Sequence, residues 1–206
     1  MINRQFFFEH VRATLFTGRL SQGQVDGLTF ILNVWEGNHS TKDDRWLAYA
    51  LGTAFHETAF SMQPINEFGG NGYFTRMYDV TSPLPKRRAL AKSNGNIHPG
   101  DGPLFHGRGY VQLTWRSNYD RMGKVFGVDL TSSEAAARRV LSAELASKIM
   151  FLGMEKGSFT GRKFADFFHG DVQDWKNARR IINGLDCADA IATHSKKFYA
   201  AISHTT

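Results

Sequence analysis

A chain of 206 residues with 25 Lys and Arg against 19 Asp and Glu, net charge +6 and pI near 9.5, is long enough to bury a core without a metal or disulfide staple. Its single cysteine, Cys187, excludes an intrachain disulfide; its eight histidines have no zinc-ligand spacing, and His56-Glu57 lacks the second histidine of a metalloprotease helix. The charge suits a polyanionic partner such as nucleic acid, an anionic cell wall or a membrane surface. No nucleic-acid-binding signature accompanies Lys86-Arg87-Arg88, Arg138-Arg139, Arg179-Arg180 or Lys196-Lys197, which read as solvated surface. Phe6-Phe7-Phe8 is interrupted by Glu9, His10 and Arg12 before a secretory apolar region forms, and no run approaches a membrane span. The expected location is therefore the cytoplasm of the producing cell, with no stable membrane insertion.

In chain order, Asn3 is placed to cap a helix that turns Phe7, Phe8, Val11 and Leu15 inward and ends near Gly18. Ser21 and Gln24 form a capping box for a second helix bearing Val25, Leu28, Ile31, Leu32 and Trp35. Thr41 with Asp44 marks a third start, and Trp46, Leu47, Ala50, Leu51, Ala54 and Thr58 recur at helical spacing, which predicts one buried side. Residues 61 to 109, rich in Gly, Pro, Asn and Ser, read as long functional loops with short strands. Alternation from Tyr110 to Trp115 predicts a strand presenting Gln112 and Thr114 on one side. Ser117 with Asp120 and Thr131 with Glu134 mark further helices, the latter leading into a stripe of Ala137, Val140, Leu141, Leu145, Ile149 and Leu152. A helix from Trp175 to Ile182 should stop at Asn183-Gly184, and a last one carries Ile191, His194 or Ser195, Phe198 and Ile202 inward. With no repeat or linker, residues 1–206 are expected to form a single, mainly helical domain with a small strand element beside a loop-built cleft and no separate wall-binding module.

Two carboxylates stand out at the end of the third helix. Glu57 is in register with Trp46, Ala50 and Thr53/Ala54, at the edge of the buried stripe, where burial would keep a carboxyl protonated and able to donate to a leaving group. Glu67, in a loop beside Asn66 and Gly69-Gly70, should stay ionised. The alternative for Glu57 is a plain capping or pairing role at a helix end. The stretch 100 to 119, GDGPLFHGRGYVQLTWRSNY, is the second informative one. It lacks both phosphate-loop patterns, so nucleotide binding is weakly supported. Arg108 is suited to buttress a carboxylate or, equally, to bond the surrounding loop backbone; Gln112 and Thr114 are suited to position a water or a sugar hydroxyl.

The order HET at 56–58, GDG at 100–102, GRGYVQLT at 107–114, Asn118-Tyr119 and ARRIING at 178–184 resembles glycoside hydrolase family 19, the chitinases and their lysozyme-like phage and prophage endolysin relatives. The resemblance implies an α-rich, two-lobed, lysozyme-like fold with a sugar-binding cleft, and hydrolysis of β-1,4 bonds between N-acetylated amino sugars with inversion and no cofactor or metal. It places Glu57 as general acid and Thr114 as a residue holding the attacking water, with His56, Tyr73, Arg108, Gln112, Asn118 and Asn183 toward the substrate. Glu67, ten residues after Glu57, matches the second acid of compact members, and Asp79, after Gly72-Tyr73-Phe74, that of long-looped ones; Glu67 is the preferred base and Asp79 the alternative or supporting acid. The sequence departs from the family at Ala59-Phe60, where paired glycines are usual, and at Trp115-Arg116-Ser117. The expected activity is that of a monomeric endolysin acting on bacterial cell-wall glycan after holin-type release. A chitinase, or an inactive glycan-binding member of the fold, is the alternative.

Overall fold

The computed structural model describes residues 1–204 and is mainly helical, with two short antiparallel strand pairs among the described residues. It divides into two compact units, one of Met1–Gln63 with the chain from Ser147 onward and one of Pro64–Ala146. Among the described residues no helix is long and apolar enough to cross a membrane.

In the first unit, α1 (Arg4–Thr14) starts where the Asn3 side chain accepts the Phe6 amide, and α2 (Gln22–Asn38) at the reciprocal capping box of Ser21 and Gln24. The start of α3 (Asp44–Glu57) differs from expectation. Asp43, not Thr41, is the cap, because its carboxylate accepts the Arg45 amide at 2.9 Å and also binds the Arg45 guanidinium. Every residue of α3 from Leu47 to Phe55 is buried, so this is the central helix of the unit rather than a one-sided surface helix. It packs chiefly on α10 (Ala188–Ala201) and also meets α2. Trp46 donates its indole N–H to the Phe168 carbonyl in β3 (Phe168–His169), which pairs with β4 (Val172–Gln173).

The α3–α10 approach is set by Gly52. A Cβ there would lie 2.1 Å from Ser195 Oγ and 2.8 Å from the Ser195 amide nitrogen, so the helix axes cannot keep their separation with any larger residue. Helix propensity alone would favour alanine at this position by about 1 kcal/mol. Overpacking of this kind costs about 1–3 kcal/mol, and backbone as well as a side chain stands in the way. We therefore expect Gly52→Ala to lower the denaturation midpoint, and an unchanged or raised midpoint would refute the close approach.

Two expected helices are shorter than predicted. The apolar stripe after Thr131 breaks into α8 (Glu134–Arg138), a 310 turn at Arg139–Leu141 and α9 (Ala143–Lys156). Ser133 caps α8, and Ser142 has extended backbone, which stops one helix before it recaps the next. The stretch from Trp175 holds only a 310 turn at Asn177–Ile181.

In the second unit, β1 (Ile65–Asn66) pairs with β2 (Arg108–Gly109), Ile65 opposite Gly109 and Asn66 opposite Arg108. Between them the segment read as loop holds α4 (Asn71–Tyr78), α5 (Pro85–Ser93) and α6 (Asp101–Leu104), helices of eight, nine and four residues. The strand predicted over Tyr110–Trp115 is instead a turn. Gln112 adopts φ +52° and Arg108 bridges back to Leu113, while Tyr110, Val111 and Leu113 are all buried, so alternation there does not reflect two faces. Next, α7 (Arg116–Phe126) begins directly after Trp115, earlier than Ser117 suggested, and ends at Gly127 in the left-handed conformation.

Candidate active site

Glu57 is the last residue of α3, half-buried, and its Oε1 accepts a hydrogen bond from Arg179 Nη1 at 2.6 Å. Arg179 is 3% exposed and is itself held by Asp186, through the carbonyl at 3.1 Å and the carboxylate at 3.3 Å. Burial alone would lower the Arg179 pKa; the carboxylates of Glu57 and Asp186 outweigh it and raise it, so the guanidinium stays charged. The sequence reading took Arg179-Arg180 as a surface pair, which holds for Arg180 and not for Arg179. After Glu57, Thr58 caps the helix and its Oγ1 accepts the Met62 amide at 3.1 Å. Ala59 and Phe60 then take φ +48° and +68°, the left-handed conformation for which glycine is the low-cost residue. His56 is half-buried on α3. Asn183 is exposed just past the 310 turn, its amide donating to the Arg179 carbonyl.

In the second unit Glu67 follows β1, and both its carboxylate oxygens are held. Oε1 accepts the Tyr78 hydroxyl at 2.6 Å and, at a longer 3.3 Å, that of the exposed Tyr73; Oε2 accepts the Gly107 amide at 3.1 Å. A Cβ on Gly107 would come within 2.8 Å of Gln112 Oε1 and 3.1 Å of Glu67 Oε2, so the GRG turn brings Gln112 and Glu67 together over bare backbone. The Gln112 amide nitrogen donates to the Gly109 carbonyl at 3.2 Å. Thr114 Oγ1 donates to the Gln112 carbonyl at 2.8 Å, and Asn118 Nδ2 to the Thr114 carbonyl at 2.8 Å. His106, between the GDG and GRG motifs, stacks on Phe74 at 4.0 Å with its Nδ1 against the Pro103 carbonyl. Burial, and then the Arg108 charge, lower its pKa and keep it neutral.

Asp79 and Arg108 are buried in the same unit. Asp79 is fully buried: Oδ1 accepts the Thr81 amide and hydroxyl, and Oδ2 the amides of Gly100 and Gly102, each at 2.7–2.9 Å. Burial alone would raise its pKa, but those amides and the hydroxyl reverse the effect and lower it. The GDG motif thus serves as a brace. Gly100 has φ +94°, Gly102 has no room for a Cβ against the Phe74 carbonyl and Asp79, and Asp101 binds the Arg116 guanidinium at 2.6 Å. Arg108, 1% exposed, donates to Asn66 Oδ1, the Leu104 carbonyl and the Tyr119 hydroxyl; of the two roles read for it, the geometry is that of a loop brace.

Comparison with solved structures finds this architecture in chitinase C from Streptomyces griseus HUT6037, with a TM-score of 0.62 and 19% identity over 97% of this chain and 91% of that chain. A mutant of chitinase C matches at a TM-score of 0.59 and 18% identity, over 97% and 75%. The chain shares the fold of chitinase C. No family model and no curated protein sequence matches it. The likeness agrees with the resemblance drawn from the motifs and confirms the mainly α, lysozyme-like fold.

Upon this chitinase C fold, sequence reasoning missed Arg179, Asp186, Tyr78 and the Gly107 amide. Arg179 lies inside the ARRIING motif beside the exposed Arg180, and nothing local separates the buried arginine from the solvated one. Tyr78 carried no signal, because its partner Glu67 is eleven residues away across a turn and a helix.

Proposed function

We propose that the chain is a glycoside hydrolase that cleaves β-1,4 bonds of peptidoglycan glycan strands by inversion, with Glu57 as general acid and Glu67 as general base. The observation that carries this reading is that the two candidate glutamates are each built into a specific polar cradle, Arg179 for Glu57 and Tyr78 with the Gly107 amide for Glu67, on the fold of chitinase C. Oε1 of Glu57 is engaged by Arg179, and Oε2 is the oxygen that carries the proton to the leaving group. Glu67 takes the proton of the attacking water, which Thr114 helps to hold, and no cofactor enters. The family resemblance assigns His56, Tyr73, Gln112, Asn118 and Asn183 to the sugar, while the buried Arg108 braces its own loop through Asn66, Leu104 and Tyr119.

The net charge of +6 supports an anionic wall rather than neutral chitin as the polymer bound, in keeping with the reading of an endolysin that reaches the wall after holin-type release. The chitinase reading rests on the names of the structural neighbours. Incubation with purified peptidoglycan and, separately, with soluble chitin oligomers separates the two. We expect turbidity loss of the peptidoglycan, with new reducing ends seen by mass spectrometry. Chitin fragments without turbidity loss would assign the chain to the chitinases, and neither product would leave a glycan-binding protein.

A further inference from the structure

Both oxygens of the Glu67 carboxylate accept hydrogen bonds, and the shortest comes from a residue that no motif contains. Tyr78 Oη lies 2.6 Å from Oε1, within the range of a charge-assisted O–H···O bond, whereas Tyr73 Oη is at 3.3 Å on an exposed ring. Burial, and then the bond to Glu67, push the Tyr78 pKa far up, so the phenol keeps its proton and acts as the donor. Tyr78 is in turn fixed from three sides. Its ring meets Trp115 edge-on at 5.1 Å, its carbonyl accepts Asn96 Nδ2 at 2.8 Å, and it ends α4 immediately before the fully braced Asp79.

We infer that Tyr78 is a positioning residue for the Glu67 base, and that the GDG brace acts on catalysis through it. The chain of contacts is continuous: the amides of Gly100 and Gly102 lock Asp79, Asp79 locks the end of α4, and the end of α4 presents the Tyr78 hydroxyl to Glu67 Oε1. With Oε2 on the Gly107 amide, the carboxylate plane is defined by two donors from separate segments. One lone pair on Oε2, and the weakly held position on Oε1 that Tyr73 occupies at 3.3 Å, are then left to meet a water in a fixed orientation. Tyr73, at the longer distance and with an exposed ring, is free to exchange its contact for a sugar.

This inference rests on Glu67 being the base, and the test separates the two. Steady-state kinetics on soluble glycan oligomers are measured for the full chain, Tyr78→Phe, Glu67→Ala and the double variant, the last two with and without azide. Phenylalanine retains the ring against Trp115, so the fold is kept. We expect Tyr78→Phe to lower kcat about ten- to hundredfold with KM within about twofold, since misplacing a reacting group by about 1 Å costs about a hundredfold. In the Glu67→Ala background, adding Tyr78→Phe should change the residual and azide-rescued rates by less than about twofold, because the partner it positions is gone. The carboxyl 13C resonance of Glu67 should move in Tyr78→Phe, which reports the lost hydrogen bond independently of activity. An unchanged kcat in Tyr78→Phe, or an equal loss in the Glu67→Ala background, would overturn the positioning role while leaving the base assignment standing. Full activity in Glu67→Ala would overturn the base assignment and this inference together.

Discussion

Glu57→Gln should lower turnover at least about a hundredfold while the protein stays folded, because general acid catalysis contributes about 10²–10⁴ and the amide cannot deliver the proton. Glutamine is the informative replacement at this position. Its side-chain carbonyl still accepts the Arg179 Nη1 hydrogen that Oε1 accepts at 2.6 Å, so the 3%-exposed guanidinium keeps a partner, with Asp186 as the second. Glu57→Ala would instead leave that buried charge to the longer contact with Asp186 alone, where removing a partner of a buried pair costs up to about 3–5 kcal/mol. Loss of activity in the alanine variant would then mix chemistry with unfolding. The measurement is the rate of glycan-bond cleavage beside a thermal melt. Wild-type turnover in a folded Glu57→Gln protein would remove Glu57 from the mechanism and favour the plain pairing role at the end of α3.

How legible this arrangement is in the sequence depends on the range over which each feature is encoded. The Ser21/Gln24 capping box is local, and α2 starts where those residues place it. The placement of Glu57 follows from the periodicity of α3, although Arg179, which binds it, is 122 residues away and had no local signature. Residues 71 to 104 read as loop because α4, α5 and α6 each span fewer than three turns, too few for an apolar stripe to recur. In α4 and α5 the buried residues are single, Phe74 and Ala91. The alternation over Tyr110–Trp115 misleads for the opposite reason: in a turn that buries the consecutive Tyr110 and Val111 as well as Leu113 it does not mark two faces, and the left-handed Gln112 is visible only in three dimensions. The glycine at 102 in the GDG motif is required by the protein itself, since the Phe74 carbonyl and Asp79 fill the space a Cβ would take.

Glu67→Ala should abolish most activity and regain part of it with azide, a small anion that fills the vacated base site. Asp79→Ala should show no rescue. The contrast follows from the acceptor capacity of the two carboxylates. Asp79 spends four acceptor sites on Thr81, Gly100 and Gly102, is fully buried, and has nothing left to take a proton from water. Glu67 is half-buried, and its contacts leave one lone pair on Oε2 and a weakly held position on Oε1. Removing Asp79 leaves the amides of Gly100 and Gly102 without their acceptor, at about 1–3 kcal/mol for each buried group. Its phenotype is therefore a lowered melting temperature, with activity falling only as far as the end of α4 loosens. Because the folded-state pKa of Asp79 is depressed, its contribution to stability is present above the ordinary carboxylate range and is lost as pH falls through the folded value. The melting temperatures of the wild type and Asp79→Ala should accordingly converge in strong acid. Azide rescue of Asp79→Ala, together with near-full activity in Glu67→Ala, would reverse the assignment and make Asp79 the base.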